Sequence, residues 1–500
     1  MFARRNWSRI LFWLGVGAAL GALAAYGARA TLTDWALRTA LRSAGAEDIR
    51  LDVRAVSLWQ IVINDVGLRF QRQPLAAGQV SVVRPHWWTP TLGRVSVAGL
   101  RVPVDVAALN PMSADEPLPA TATVATARLP ASVPAEEVSI DGQLVVQAPG
   151  IEQALTVKLD ATMQPEGQWV GQMTADGPGL AVRVDADYRP SSQELSFRIP
   201  IAHFELQHWQ DFLGRVVPVA GKGWSIDGQI DGTAEGTLAP GKSAAAAAVK
   251  LRGGAFSNSS QTTMAKGVEA DVVFTDLTQL RTAPGQTLHV AEMRAGRVAL
   301  NDFDMQFEVQ GRSRIDVTRL ALQMMGGRLA AEPFSYSPAR GEFDATVVAE
   351  SLAIEEVLAL APDVPAQAAG RINGRLPVRI GAGGIHLGTG WFGLAPGVAA
   401  EVQFNAKGLL TRGLSPGNPS YAVLSKIEGG ILRLRLDELR LDVYPADAPP
   451  GQSARLHMAG TPVDESVRAP VSLDVNINGP VERLLNLGFD SRVEVGTARP

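Results

Sequence analysis

Apolar and polar residues alternate along most of this chain from about residue 51 onward. In one such segment Val272 and Phe274 share one face, while Glu269 and Asp271 lie on the opposite face. A period of two residues is that of a β-strand with one buried side. Gly, Pro, Asn and Asp separate the alternating segments at a spacing typical of antiparallel meanders. The pattern predicts a mainly β, largely antiparallel protein with one apolar face.

In two places the alternation slips by one residue and then resumes. "ND" separates Leu300 from Phe303, and "DE" separates Leu436 from Leu439. Such a slip is typical of a β-bulge, which lets the apolar side chains continue on the same face. We expect one continuous apolar face lined by Val272, Phe274, Val298, Leu300, Met305, Phe307, Leu320, Leu322, Leu432, Leu434 and Leu436.

Few segments have helical periodicity. Short amphipathic helices are predicted in 32–46, in "FELQHWQDFLGRV" and in "LAIEEVLALAP". After a short gap, the last two are followed by Gly-rich strands with Ile226-Asp227-Gly228 and Ile372-Asn373-Gly374 in equivalent places, and "NINGPVERLLNLG" is a partial third copy. This weak repeat favours an elongated, stacked sheet.

The N-terminal region predicts a membrane anchor. Three arginines (Arg4, Arg5 and Arg9) precede Ile10–Ala28, nineteen residues without a charge. A helix of that length spans about 28 Å, close to the hydrocarbon thickness of a bilayer. The upstream arginines place the N-terminus in the cytoplasm and the rest of the chain across the membrane. The alternative is a cleaved signal peptide, since "ARA" at 28–30 fits a cleavage pattern.

We divide the chain into four regions. Residues 1–30 form the cytoplasmic tip and anchor, and 31–106 a membrane-proximal helix with the first strands. Residues 107–135 are rich in Pro, Ala and Thr and form a linker or long loop. Residues 136–500 form the main β domain.

The amino-acid composition argues against some classes of function. The formal net charge of −4 gives no sign of nucleic-acid binding. The absence of cysteine excludes disulfides, Cys-ligated metal sites and thiol catalysis.

The sequence motifs that could indicate catalysis or ligand binding are weak. "GTLAPGKS" (236–243) satisfies the phosphate-loop pattern, but a polar, Gly-rich segment precedes it where a buried strand is required, so we interpret it as a hairpin turn. "GAGGIHLGTG" lies between alternating segments and is interpreted as a tight connection between strands. The six histidines show no metal-ligand spacing. We therefore expect no catalytic site, metal or cofactor.

Several segments together resemble the YdbH family, within the wider AsmA-like group of bridge-type lipid carriers. They are "GVEADVVFTDL", "LHVAEMRAGRVALNDFDMQFEVQ", "LQMMGGRLAAEPFSY", "LAIEEVLALA", "AAGRINGRLPVRIGAGGIHLGTGWFGLAPG" and "GILRLRLDELRLDVYP". The resemblance is good from about Leu251 to Val495 and covers a domain sometimes labelled "dicarboxylate transport". It implies a protein anchored in the inner membrane by one helix, with a long curved β-sheet in the periplasm. The sheet would fold into an apolar groove that carries phospholipids toward the outer membrane.

The resemblance also bears on partners. About 22–26 strands at roughly 4.8 Å each would reach only ~105–125 Å, which is short for the envelope gap. A small outer-membrane lipoprotein that extends the C-terminal sheet edge is therefore an expected partner besides phospholipids and the membrane. The alternative function is a non-transporting envelope scaffold or assembly factor with a closed β core.

Overall fold

A computed structural model describes residues 29–43, 46–57, 59–70, 73–84, 92–105, 135–216, 223–258, 262–296, 298–338, 340–359, 366–381, 384–404, 415, 417–445, 453–463 and 470–477. The predicted anchor Ile10–Ala28, the linker up to residue 134 and most of the third repeat copy lie outside these residues. Across the described ranges, no helix is long and apolar enough to cross a membrane.

The prediction of a mainly β protein is confirmed, because most described residues lie in strands. The strands are β1 (Ala46–Val56), β2 (Gln60–Phe70), β3 (Gln73–Val83), β4 (Leu92–Asp105), β5 (Ala135–Ala148), β6 (Ile151–Met163), β7 (Trp169–Gly177), β8 (Leu180–Arg189), β9 (Glu194–Glu205), β10 (Trp224–Ala239), β11 (Lys242–Asn258), β12 (Thr263–Asp276), β13 (Arg281–Thr282), β14 (Gln286–Ala295), β15 (Val298–Val309), β16 (Ile315–Met324), β17 (Gly327–Ala331), β18 (Phe334–Ser337), β19 (Glu342–Ala353), β20 (Ala366–Ala369), β21 (Arg371–Gly381), β22 (Gly384–Leu387), β23 (Gly390–Leu394), β24 (Ala400–Phe404), β25 (Arg433–Val443), β26 (Ala454–Pro462) and β27 (Val471–Ile477). The helices are α1 (Arg29–Ser43), a 3₁₀ helix (Leu206–Trp209), α2 (Gln210–Val216), α3 (Ile354–Leu358) and α4 (Pro419–Ile431).

The chain forms two compact units. The first comprises Met1–Ala220 and Asp231–Ala245, and the second comprises Gly221–Ile230 and Ala246–Pro500. In the first unit β1 to β4 and β5 to β9 pair antiparallel in chain order, while β4 and β5 pair parallel. A parallel pair needs a crossover of a dozen or more residues. The segment between β4 and β5 has that length.

In the second unit the strands pair antiparallel. The main order is β11, β12, β14, β15, β16, followed by β17 and β18 on β16 and then by β19 and β21. From β21 the pairing continues through β23 to β25, β26 and β27, and β24 joins β20 to β25. Neighbouring strands therefore follow each other closely in sequence, as the meander pattern predicted.

Both predicted slips are confirmed as irregularities of the register. The pairing of β15 with β16 shifts between Asn301 and Asp304, and Asp302 has a positive φ of 47°. The pairing of β25 with β26 shifts between Leu436 and Glu438.

The irregularity at Asp302 belongs to a row that crosses three strands. Three residues lie opposite one another without being paired: Gly267 of β12, Ala291 of β14 and Asp302 of β15. The pairs on either side of them remain in register. Gly267 has a φ of +62°, and a Cβ there would lie 2.8 Å from the Cβ of Ala291. Glycine meets both constraints because it has no Cβ. We call these three residues the bend row, because the ladder omits each of them and irregular positions of this kind bend a strand.

The short helices pack onto apolar side chains. In the first unit Trp209 and Phe212 form a buried cluster with Ala148 and Leu155, and Trp209 Nε1 donates to the carbonyl of Pro178 at 2.9 Å. In the second unit Ile354 of α3 belongs to a larger cluster described below. These helices and α1 were predicted from the sequence, whereas α4 was not.

Helix α1 is fixed to strand β1 by one side chain. The Arg38 guanidinium donates to Asp34 on its own helix at 2.7 Å and to the carbonyls of Ile49 and Leu51 at 3.1 and 3.0 Å. These carbonyls lie on the first strand of the unit, so α1 satisfies hydrogen-bonding groups of β1.

Candidate functional site

Apolar side chains on directly paired residues form a row across the second unit. Ala270 pairs with Leu288, Leu288 with Met305, and Met305 with Leu320. The pairing continues to Ala331, Val347 and Leu376 on β17, β19 and β21. Directly paired residues of antiparallel strands project from the same face, so these seven residues form one apolar row. We call it the first apolar row.

A second apolar row lies two residues away from the first on β16, β17, β19 and β21 and continues from there to β27. It comprises Leu322, Leu329, Ala349, Gly374, Phe392, Leu441, Leu456 and Val475, each paired with the next. Glycine at 374 is required because a Cβ there would overlap the ring of Phe392. Together the two rows cross the sheet from β12 to β27, a path of roughly 48 Å at the usual strand spacing.

Most of the predicted lining residues lie on this face and are only partly buried. In β12, β15 and β16 they are Val272, Phe274, Val298, Leu300, Met305, Phe307, Leu320 and Leu322. Their neighbours Val273, Asp304 and Gln306, on the opposite face, are exposed. The structure thus brings eight of the predicted residues to one face of adjacent strands.

The remaining three predicted residues lie in a different environment. Leu434 and Leu436 are 2% and 7% exposed and belong to a closed core cluster with Leu352, Ile354 and Ile372. Leu432 precedes β25, and its amide donates to the carbonyl of Glu428 at the end of α4. The core cluster overlaps the second apolar row, since Ala349 belongs to it and Leu329, Phe392 and Leu456 pack against it.

The sequence did not reveal two buried polar residues, one at the start of β14 and one in β13. Gln286 and Thr282 are each only 5% exposed. The Gln286 side chain accepts from the amide of Val273 and donates to the carbonyls of Ala283 and Pro284. The Thr282 hydroxyl accepts from the amide of Val309 at 2.8 Å. Both side chains form hydrogen bonds with backbone groups where the strand pairing becomes irregular. The apolar face therefore ends at polar groups that already have hydrogen-bond partners.

The opposite face carries cross-strand ion pairs. Lys250 lies 2.9 Å from Asp271, and Arg379 lies 2.6 Å from Asp344. Near the C-terminal strands, hydrogen bonds from His457 and then from Arg455 hold the pKa of Asp474 below its ordinary value. Exposed pairs contribute little stability. Their consequence is a charged, hydrated face opposite the apolar one.

The motifs weighed for catalysis lie elsewhere. The phosphate-loop-like segment is a hairpin, with β10 ending at Ala239, a turn at Pro240 and Gly241, and exposed Lys242 starting β11. The alanine run after it is part of β11 and is not helical. "GAGGIHLGTG" connects the paired strands β21 and β22 and leads into β23. In the ranges that the structure covers, no group of three or more His, Asp or Glu residues is placed to hold a metal ion.

The face described above therefore offers apolar contact and no reacting groups. Its side chains in both rows are aliphatic, thioether or aromatic, and none of these ionises or serves as a nucleophile. Such a surface suits a ligand with long hydrocarbon segments.

Comparison with protein families gives one finding. Residues 153–395, just under half of the chain, match the family described as YdbH-like, intermembrane phospholipid transport protein YdbH. Comparisons with curated proteins and with solved structures return no match. The matched segment contains the first apolar row and the first five residues of the second.

Proposed function

Since this chain belongs to the YdbH-like family through residues 153–395, we propose that it carries phospholipids between the inner and outer membranes along the apolar rows. The observation that carries the proposal is the unbroken pairing of apolar residues from β12 to β27. The family is one of lipid transport, and we propose no catalytic activity for the chain.

The energetic argument concerns the acyl chains. Burying an acyl chain of sixteen carbons contributes about 0.8 kcal/mol per CH₂, or roughly 12 kcal/mol when it is fully enclosed. A lipid that left an apolar surface at each step would lose this free energy repeatedly. A continuous apolar face lets it move while most of the contact is kept. The charged groups stay on the opposite face, where they do not interrupt the path.

A photocrosslinking pair tests this proposal. A benzophenone amino acid at Met305 lies on the first apolar row, and the same residue at Gln306 lies on the exposed face of the same strand. We expect lipid adducts from Met305 and none from Gln306, detected by mass spectrometry of the full-length protein extracted from membranes. Equal or absent adducts at both positions would contradict lipid carriage on this face.

Anchoring in the inner membrane forms part of the proposal. The uncharged run Ile10–Ala28 with arginines before it supports a single membrane pass, with residues 31–500 in the periplasm and the β domain from residue 136. Reporter fusions at the C-terminus should then be active only outside the cytoplasm. A membrane-associated protein whose mature N-terminus is Thr31 would refute the retained anchor in favour of a cleaved signal peptide.

A second candidate function is a non-transporting envelope scaffold. The observation that favours it is the closed core cluster, in which two of the predicted lining residues, Leu434 and Leu436, are only 2% and 7% exposed. A scaffold would bind no lipid beyond its anchor. The crosslinking pair above separates the two functions.

The C-terminal strand supports a partner that extends the sheet. Within the described residues β27 pairs with β26 alone, and its side chains from Ser472 to Asn476 are exposed. An unpaired edge accepts an added strand through its backbone groups. We propose that a small outer-membrane lipoprotein adds there. Photocrosslinkers from Ser472 to Asn476 should trap a second polypeptide in cells, and adducts confined to the same chain would refute this.

A further inference from the structure

A cleft of about 490 Å³ lies in the first unit, where the N-terminal end of α1 meets the end of β1 and the turn into β2. Its polar lining includes Arg29, Arg54, Ser57 and Gln60, and its apolar lining includes Val56 and Val62. This volume is within the range of small-ligand sites. The apolar rows do not include any of these residues.

The walls of the cleft are held by contacts already described and by the turn. Arg38 fixes α1 to the carbonyls of β1. In the turn, the Ser57 hydroxyl accepts from the amides of Trp59 and Gln60 at 3.3 and 2.9 Å. The cleft therefore lies between two elements whose relative position is fixed within this unit.

The chemistry of the lining selects an anionic ligand with an apolar part. Among the described residues that line the cleft, two carry a guanidinium group and none carries a carboxylate. Arginine binds phosphate oxygens through paired N–H donors. The Gln60 side-chain amide donates one N–H to the Ser81 hydroxyl at 3.0 Å and has a second N–H as a neutral donor. Val56 and Val62 supply contacts for hydrocarbon. A phosphodiester with attached acylglycerol meets all of these features.

Exposed aromatic side chains on the helix and the turn that form the cleft favour a membrane surface. Trp59 in the turn is 50% exposed and Trp35 on α1 is 68% exposed. Exposed tryptophans are favoured at the level of lipid headgroups, where one end of the ring is apolar and the other is hydrated. Helix α1 also follows directly on the segment Ile10–Ala28 that the sequence predicts to span the membrane.

We infer that this cleft binds the phosphodiester headgroup of a phospholipid as the lipid leaves the inner membrane for the apolar rows. The inference rests on the proposed function and adds the site where the lipid is loaded. Arg54 is the exposed cation of the cleft, and Arg29 is the cation nearest the predicted anchor.

Binding of a short-chain lipid to the purified full-length protein tests the inference. The probe is dihexanoyl phosphatidylglycerol below its micelle concentration, compared with dihexanoylglycerol, which lacks the phosphate, and with inorganic phosphate. Arg54→Gln should weaken binding of the phospholipid by about five- to tenfold, the effect of losing one charge-assisted contact at a partly hydrated site. Arg50→Gln is the matched control, because Arg50 is exposed on the same strand and does not line the cleft. Binding of dihexanoylglycerol should not change in either variant.

Three outcomes would overturn the inference. Equal affinities of the Arg54→Gln and Arg50→Gln proteins would show that the cleft does not hold the headgroup. Inorganic phosphate that binds as tightly as the phospholipid, and depends equally on Arg54, would assign the cleft to free phosphate. A melting temperature lowered by Arg54→Gln but unchanged by Arg54→Lys, with both binding normally, would assign a structural role. Adducts at Met305 together with unchanged binding by Arg54→Gln would refute the loading site alone, whereas absent adducts at Met305 would refute carriage itself.

Discussion

A carboxylate introduced at two positions of the predicted lining should have opposite consequences. Met305 lies on the first apolar row and is partly exposed, between Leu288 and Leu320 on the neighbouring strands. Leu434 lies in the core cluster and is 2% exposed. We expect Met305→Asp to fold and to stop lipid carriage, and Leu434→Asp to prevent folding.

The magnitudes follow from burial. Removing a fully buried leucine costs about 2–5 kcal/mol, and a buried, unpaired carboxylate costs several kcal/mol more. The total is comparable to the whole stability of a typical domain, about 5–15 kcal/mol. At Met305 the lost apolar contact is smaller, about 1–2 kcal/mol, since the side chain is already partly hydrated. A carboxylate there keeps water on its exposed side.

The assay combines folding with lipid capture. Thermal melting and protein level are measured for both variants, beside lipid adducts from a crosslinker at Leu320 in the same row. Met305→Leu is the control, because it keeps the volume and the apolar character of the side chain. If both aspartate variants unfold, the row is a closed core and the lipid path is wrong. If Met305→Asp folds and captures lipid normally, the row does not carry lipid.

Three further predictions concern single residues. Lys242→Ala should change stability by less than about 0.5 kcal/mol and leave lipid capture intact, because Lys242 lies at an exposed hairpin tip; micromolar ATP binding that this substitution abolishes would contradict the prediction. Hydrogen bonds to Asp231 and then to Glu205 raise the pKa of His203 above its ordinary value of 6.5. Its contribution to stability is therefore fully present below about pH 6.5 and is lost as pH rises through the raised pKa. Melting temperatures between pH 6 and 8 should fall more steeply in the wild type than in His203→Gln, and equal slopes would refute the argument. Gln286→Ala should destabilise by about 1–3 kcal/mol in urea unfolding, because the amide of Val273 loses the acceptor that the buried Gln286 side chain supplies; a change below about 0.5 kcal/mol would show that water replaces the side chain.

The strands and both bulges were predictable because their signal is local. A period of two residues identifies a strand with one apolar side, whatever its neighbours. The slips at "ND" and "DE" were predictable for the same reason, since the apolar residues resume one position later. Asp302 with its φ of 47° and the shift at Leu436 are the structural counterparts.

The difference between Met305 and Leu434 was not predictable, because it depends on distant segments. Both residues occupy apolar positions of alternating strands. Leu434 becomes buried because β24 pairs alongside it and Ile354 of α3 packs into the same cluster. Helix α4 was missed for a different, local reason. Its sequence contains two glycines near its end, which lower helix propensity, and the Asn418 side chain caps its start by accepting from Ser420.

The charged face has a consequence for the register of the sheet. Because side chains alternate, a slip of one residue between β12 and β14 would bring Glu269 and Asp271 onto the apolar face. Placing unpaired carboxylates there costs far more than the surface pair between Lys250 and Asp271 contributes. The charged residues on the face opposite the apolar rows therefore act mainly by destabilising wrong registers. The bend row complements this effect, since its three residues lie opposite one another and the apolar pairs on either side of them stay in register.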